Sequence, residues 1–304
     1  MAAERSRVVL VRAKKGPPAS AAAPDATTLR EMVEHGLREL ADTPDVAAAW
    51  SRYFTRDDTI GIKVNCLGGP RICTSPALAE ATARSLSALG IQPKHVYVWD
   101  RSARELARCG YSLNWKDPGR VQCVATDIQG VDYERDLSVF GSIGSRLSRV
   151  LTSTVSAQIN MPILKDHGIC GITGALKNMF GAIHNPNKYH EDRCDPFIAD
   201  VNALPQIRKK NRLVIFDALR IQYNGGPGFK PQWVEEPGWI LLSEDPVAVD
   251  TVAATLLDRI RKKHGLPPIE KDGGLPAYIR TAADREHALG TARWESIDFR
   301  EKTL

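Results

Sequence analysis

Short apolar runs alternate with segments whose apolar residues recur at helical spacing, and this alternation continues along most of the chain. The run Val8–Val11 predicts a first strand, followed by a loop through Pro17, Pro18 and the alanine-rich stretch 19–23 and a helix over 28–40. Asp45 opens a second helical stretch that ends near Trp50, Tyr53 and Phe54. Residues 59–65 predict a buried strand. Residues 76–89 predict a helix, with Pro76 in its first turn, Gly90 after its end, and Leu78, Thr82, Leu86 and Leu89 on one face. A further strand at 96–99 makes this a βαβ unit, whose two strands should be parallel neighbours. The pattern weakens over 103–152, where only a short helix near 104–109 and a strand at 122–125 are expected. A strand at 155–161 closed by Pro162, a helix over 196–208, strands at 213–216 and 239–242, and a helix over 247–261 complete the alternation. The expected fold is α/β: one domain with a largely parallel, Rossmann-like open sheet and helices on both faces, its core over about 58–260. Residues 265–304 should form an extension, a helix and an edge strand, packed on that core.

The chemistry concentrates between Asn160 and His190, where three lysines and three histidines stand with almost no acidic charge. Lys165, His167 and Cys170 fall in an expected glycine-bearing loop after the strand, and Thr173 is placed to cap a short helix from Gly174 to about Phe180. A strand, a glycine loop and a helix N-terminus together make an anion cradle, because free N–H groups and the helix dipole aim at one spot. Lys165 and Lys177 would add charge-assisted donors, and His167 an acid or base.

In open α/β sheets, ligands bind beyond the carboxyl ends of the parallel strands. Those ends carry Lys63 with Asn65, Asp100 with Arg101, Lys165 with His167, Asp217 with Arg220, and Glu244 with Asp245. Lys63, Asn65, Asn178, Thr173, Asp217 and Asp250 are therefore candidate substrate-binding residues. Asp250 is also a candidate partner for a lysine or histidine. Asp245 before Pro246 reads as a helix N-cap. The glycine–proline loop over 223–230 could let backbone approach a ligand.

The run P-I-L-K-D-H-G-I-C-G-I-T-G-A-L-K-N-M-F-G-A-I within this stretch resembles the central signature of the domain of unknown function 362 family. G-I-K-V-N at 61–65 with Thr74 and Pro76 after it, G-G-P-G at 225–228, and S-E-D-P-V-A-V-D at 243–250 match the same family in the same order. Some members resemble iron–sulfur proteins with added ferredoxin-like cysteine motifs, and some carry export leaders; this chain shows neither. The resemblance makes a redox reaction plausible, with a transition metal or iron–sulfur cluster as the cofactor it would imply.

Composition then narrows the classes. The chain has 304 residues, 43% hydrophobic and 25% charged, with a formal net charge of +5. Basic pairs are scattered and not interleaved with aromatics, so a nucleic-acid partner is not expected, whereas a small anionic metabolite fits. No apolar run is long enough to span a membrane, and Val8–Val11 is too short for a signal-peptide core, which predicts a cytoplasmic protein unless a leader has been removed. The six cysteines have no C-x-x-C spacing and are expected to be reduced thiols. No dinucleotide fingerprint, P-loop or G-x-S-x-G elbow occurs, which disfavours nicotinamide, P-loop and ordinary α/β-hydrolase chemistry. His167, His184, His190 and Cys170 form an alternative set of metal ligands. The leading expectation is an enzyme for a small carboxylate or phosphate metabolite. The alternatives are a metal-dependent enzyme and a non-catalytic binder of a metal, cluster or metabolite. Nothing in the chain fixes an oligomeric state, and a homo-oligomer is compatible with it.

Overall fold

The computed structural model describes residues 5–13 and 24–304, so the loop expected through 17–23 lies outside the described residues. Among the described residues, thirteen strands follow in chain order. They are β1 (Ser6–Arg12), β2 (Ile60–Lys63), β3 (Val96–Asp100), β4 (Gln122–Ala125), β5 (Ser138–Phe140), β6 (Ile143–Ser145) and β7 (Ala157–Asn160). Then come β8 (Ile163–His167), β9 (Gly171–Thr173), β10 (Asn211–Gln222), β11 (Val234–Glu235), β12 (Trp239–Ser243) and β13 (Ile297–Thr303). The α-helices are α1 (Ala26–Ala41), α2 (Val46–Ser51), α3 (Pro76–Ser85), α4 (Ala103–Arg108), α5 (Ala175–Asn178), α6 (Phe197–Ala203), α7 (Pro205–Lys210), α8 (Pro246–Lys263) and α9 (Ala277–Ala282).

The main sheet runs β13-β1-β12-β10-β7-β2-β3-β4. Within it β10, β7, β2, β3 and β4 are parallel, as are β1 and β13, while β12 runs antiparallel to both of its neighbours. The expected βαβ unit is present, with Ile60 opposite Val96 and Lys63 opposite Trp99 across parallel strands joined through α3. Both faces of the sheet are buried, which is why its strands read as continuous apolar runs. In β10, Val214, Phe216 and Ala218 join a core beneath α5, α6, α8 and α9. Leu213, Ile215 and Leu219 join the opposite core, beneath α1 to α4. The period of two along a strand sorts one run between two cores.

Helix starts follow cap chemistry. Asp25 accepts from the amides of Thr27 and Thr28, and Asp245, ahead of Pro246, accepts from Val247 and Ala248. The helix expected over 196–208 is broken into α6 and α7 at Leu204, because Pro205 keeps its predecessor out of helical geometry. The strand expected at 213–216 extends to twelve residues in β10. That length lets it pair with β7 and β12 early on and with β8 and β11 further along. Among the described residues, no helix is long and apolar enough to cross a membrane.

Candidate functional site

The stretch after Pro162, expected as a loop, folds as a β-hairpin. Strand β8 carries Lys165 and His167, β9 returns antiparallel to it, and Lys165 lies opposite Thr173. The period of two then sends Lys165 and His167 to one side, into a cavity, and Asp166 to the other. There Asp166 accepts from the amide of Gly226 at 2.9 Å and meets the Arg261 guanidinium at 3.3 Å. The glycine loop after β10 is therefore held by the chain's own Asp166, so its close backbone approach is made to protein.

The cavity is small, ≈ 100 Å³, and opens to solvent. Lys63, Asn65, Lys165, His167, Thr173, Lys177, Asn178 and His190 line it, and these are the residues expected there from sequence. Asp100, Arg101, Glu105 and Leu67 complete much of its wall. These last four came through the sequence at most as polar groups at a strand end, and only the position of Asp100 and Arg101 after β3 could have found them.

A hydrogen-bonded relay crosses the floor. Lys165 Nζ donates to Asn65 Oδ1 at 3.2 Å, and Asn65 Nδ2 to Asn178 Oδ1 at 3.3 Å. Asn178 Nδ2 donates to Asn160 Oδ1 at 2.7 Å and to the Lys63 carbonyl at 3.0 Å. Lys63 Nζ donates to Asp100 Oδ1 at 2.8 Å and to the Val64 carbonyl at 2.7 Å. The other Asp100 oxygen accepts from the Cys66 amide at 2.8 Å. Gly181 is required beside this pair, since a Cβ there would lie 2.6 Å from Lys63 Nζ.

Among the described residues, Lys165 and Lys177 differ from Lys63 in having no carboxylate partner. Lys165 is 0% exposed with one neutral acceptor, and Lys177 is 8% exposed against His190 Nε2 at 3.0 Å and the Phe180 ring at 3.7 Å. Burial pushes the Lys165 ammonium down to about 8, and lowers Lys177 as well. The His190 Nδ1–H donates to the Pro186 carbonyl at 3.1 Å, which leaves Nε2 as the acceptor for Lys177. His167 Nδ1 accepts from the amides of Ile169 and Cys170, both at 3.4 Å, so its proton sits on Nε2. Burial, reinforced by Lys177, brings His167 down to about 3 and keeps it neutral. The rings of His167 and His190 stack with centroids 6.0 Å apart.

Three expectations about single residues need correction. Thr173 does not cap the helix: its hydroxyl has no partner, because the residue is held in β9, and the N-cap is Gly174. The amides of Ala175 and Leu176 donate instead to Asp250 of α8, at 2.6 and 3.0 Å. Asp250 is thus wholly buried and fills the helix N-terminus where a ligand anion was expected, and burial pushes its carboxyl up to about 7. Asp217 likewise turns away from the cavity, accepting from the Ser75 and Leu219 amides at 2.7 and 3.0 Å, and burial brings it up to about 6.

The suggested metal ligands do not converge. His184 is exposed and packs edge-on against Tyr133, and Cys170 is buried in the core, donating to the Ile172 carbonyl at 3.6 Å. Among the described residues, no group of three or more His, Cys, Asp or Glu side chains is arranged to hold a metal ion. All six cysteines are free and buried.

The motifs that line this cavity also carry the relationship to other proteins. A family model described as a domain of unknown function (DUF362) matches residues 60–255. The chain belongs to this family. The DUF362 region runs from β2 into α8 and so contains every lysine and histidine of the cavity. No curated protein matches the sequence. A solved structure of a protein from Thermotoga maritima is similar at a TM-score of 0.45 with 9% identity, covering 81% of this chain and 61% of that one. The chain thus spans less than two thirds of the length of that protein.

Proposed function

We propose that this DUF362 protein is an enzyme acting on a small anionic metabolite that bears a carboxylate or phosphate. The observation that carries the reading is the pair of buried ammonium groups, Lys165 and Lys177, with neutral partners only. An isolated buried charge costs several kcal/mol, on the order of what one good counter-ion returns, so an anion bound between them supplies what the fold omits. Arg101 at the rim adds a third cation. The relay through Asn65, Asn178 and Lys63 holds Lys165 in place, and His190 does the same for Lys177.

His167 takes a different role from a general base. Its Nδ1 lone pair is occupied by backbone amides, and its neutral Nε2–H is free to donate. A neutral imidazole donor beside two ammonium groups suits stabilisation of negative charge developing on a substrate oxygen. Substrate binding should therefore depend on Lys165 and Lys177, and turnover on His167.

The test is calorimetric titration of the chain with inorganic phosphate and with small mono- and dicarboxylates, followed by turnover assays on those that bind. Lys177→Ala should weaken binding by about 1–3 kcal/mol, the worth of a charge-assisted hydrogen bond. His167→Ala should leave affinity nearly intact and lower turnover. Binding unchanged in both the Lys165→Ala and Lys177→Ala variants would overturn the reading. Binding without turnover of any bound anion would make the protein a carrier.

A further inference from the structure

The lining of the cavity carries one group the anion reading does not use. Glu105 stands on α4, one turn beyond Arg101, and is half-buried with its side chain on the cavity. The other acid of the cavity, Asp100, is satisfied by Lys63 and by the Cys66 amide. Glu105 has no such partner: among the described residues no ammonium, guanidinium or amide reaches its carboxylate. Burial, followed by the negative charge of Asp100, raises its carboxyl, while Arg101 and Lys63 act against that shift without contacting it. Among the described residues the cavity lining therefore holds two buried cations without an anionic partner and one carboxylate without a cation in contact.

We propose that the ligand of this cavity is an amino acid in the broad sense, carrying a cationic amine together with its carboxylate or phosphate. The acid group is held between Lys165 and Lys177, and the amine donates to Glu105. This inference rests on the anion reading above and narrows it. A ligand of this kind satisfies both unpaired sets at once, whereas a simple anion leaves Glu105 desolvated beside it and closer to a like charge. Glu105 is then the residue that discriminates amine-bearing ligands from their amine-free analogues.

Two matched pairs test this on the full chain near neutral pH: O-phosphoethanolamine against ethyl phosphate, and L-aspartate against succinate, each titrated calorimetrically. In at least one pair the amine-bearing member should bind about tenfold tighter, the effect of one charge-assisted contact. In Glu105→Gln that preference should shrink to less than about twofold, while the amine-free member keeps its affinity within about threefold. Thermal unfolding of the variant confirms that it folds, as expected for a half-exposed helical position. Equal binding within both pairs overturns this inference and leaves the anion site standing. So does a Glu105→Gln variant that keeps the preference, or one that weakens both members alike, because Glu105 would then not be the group that recognises the amine. Failure of all four compounds to bind overturns the anion reading and this inference together.

Discussion

Two buried lysines of one cavity, Lys63 and Lys177, have opposite surroundings. Lys63 is closed by Asp100 at 2.8 Å and by a backbone carbonyl, beside Gly181, whose missing Cβ makes room for it. Lys177, equally removed from water, faces an imidazole and an aromatic ring and no carboxylate. The first arrangement is complete without a ligand, and the second is not. In this cavity, burial of a lysine does not by itself mark a binding group, and the proposed anion site rests on burial without an anionic partner.

The contrast can be broken in order of effect. Lys63→Met leaves Asp100 buried and unpaired, and should lower unfolding free energy by about 3–5 kcal/mol in chemical denaturation. Lys177→Met removes a charge that nothing in the free protein balances. It should leave the ligand-free chain as stable or more so, while anion affinity falls by about 1.5–3 kcal/mol, roughly ten- to a hundredfold. Should Lys177→Met instead destabilise as much as Lys63→Met, the two lysines are alike and the distinction fails.

The pH dependence sharpens the same point. Because the Lys165 ammonium lies down at about 8, its charge disappears as pH rises through that value. Anion affinity should drop about tenfold between pH 7 and pH 9 if only the ammonium binds, and Lys165→Arg should flatten the profile. The sign for folding is the reverse. A base depressed in the native state loses stability as pH falls through its folded value, so the ligand-free chain should gain stability from about pH 8 toward the ordinary lysine range. The smallest effect belongs to the surface. Arg84 and Glu80 pair on an exposed helix face, and Arg84→Ala should change stability by less than about 0.5 kcal/mol.

Much of this arrangement was legible in the sequence, and the exceptions share a cause. The parallel pair β2–β3 followed from punctuation and periodicity, and convergence of Lys63, Asn65, Lys165, His167 and Lys177 followed from their places at or just beyond strand ends. The hairpin β8–β9 did not, because Gly168 and Gly171 read as a loop while the pairing of Lys165 with Thr173 is set by tertiary context. Nor did the destination of Asp217 and Asp250. A carboxylate suited to a ligand is equally suited to an orphan helix amide, and only the position of Ala175 and Ser75 in space decides which it meets. Glu105 was missed because a helical glutamate has the same local pattern whether it faces solvent or a cavity.

Strand β8 places Lys165 and His167 on the cavity side and Asp166 on the other, where Arg261 and Gly226 hold it. The sign of the cavity wall is consequently a matter of counting. Inserting or deleting one residue between Pro162 and Lys165 would carry Asp166 to the cavity and send an ammonium toward Arg261, since a slip of one exchanges the faces of a strand. Length here is as constrained as identity. Descendants of this chain can exchange side chains along β8 one at a time, whereas changes in spacing must come in pairs or exchange the ammonium on the cavity side for a carboxylate.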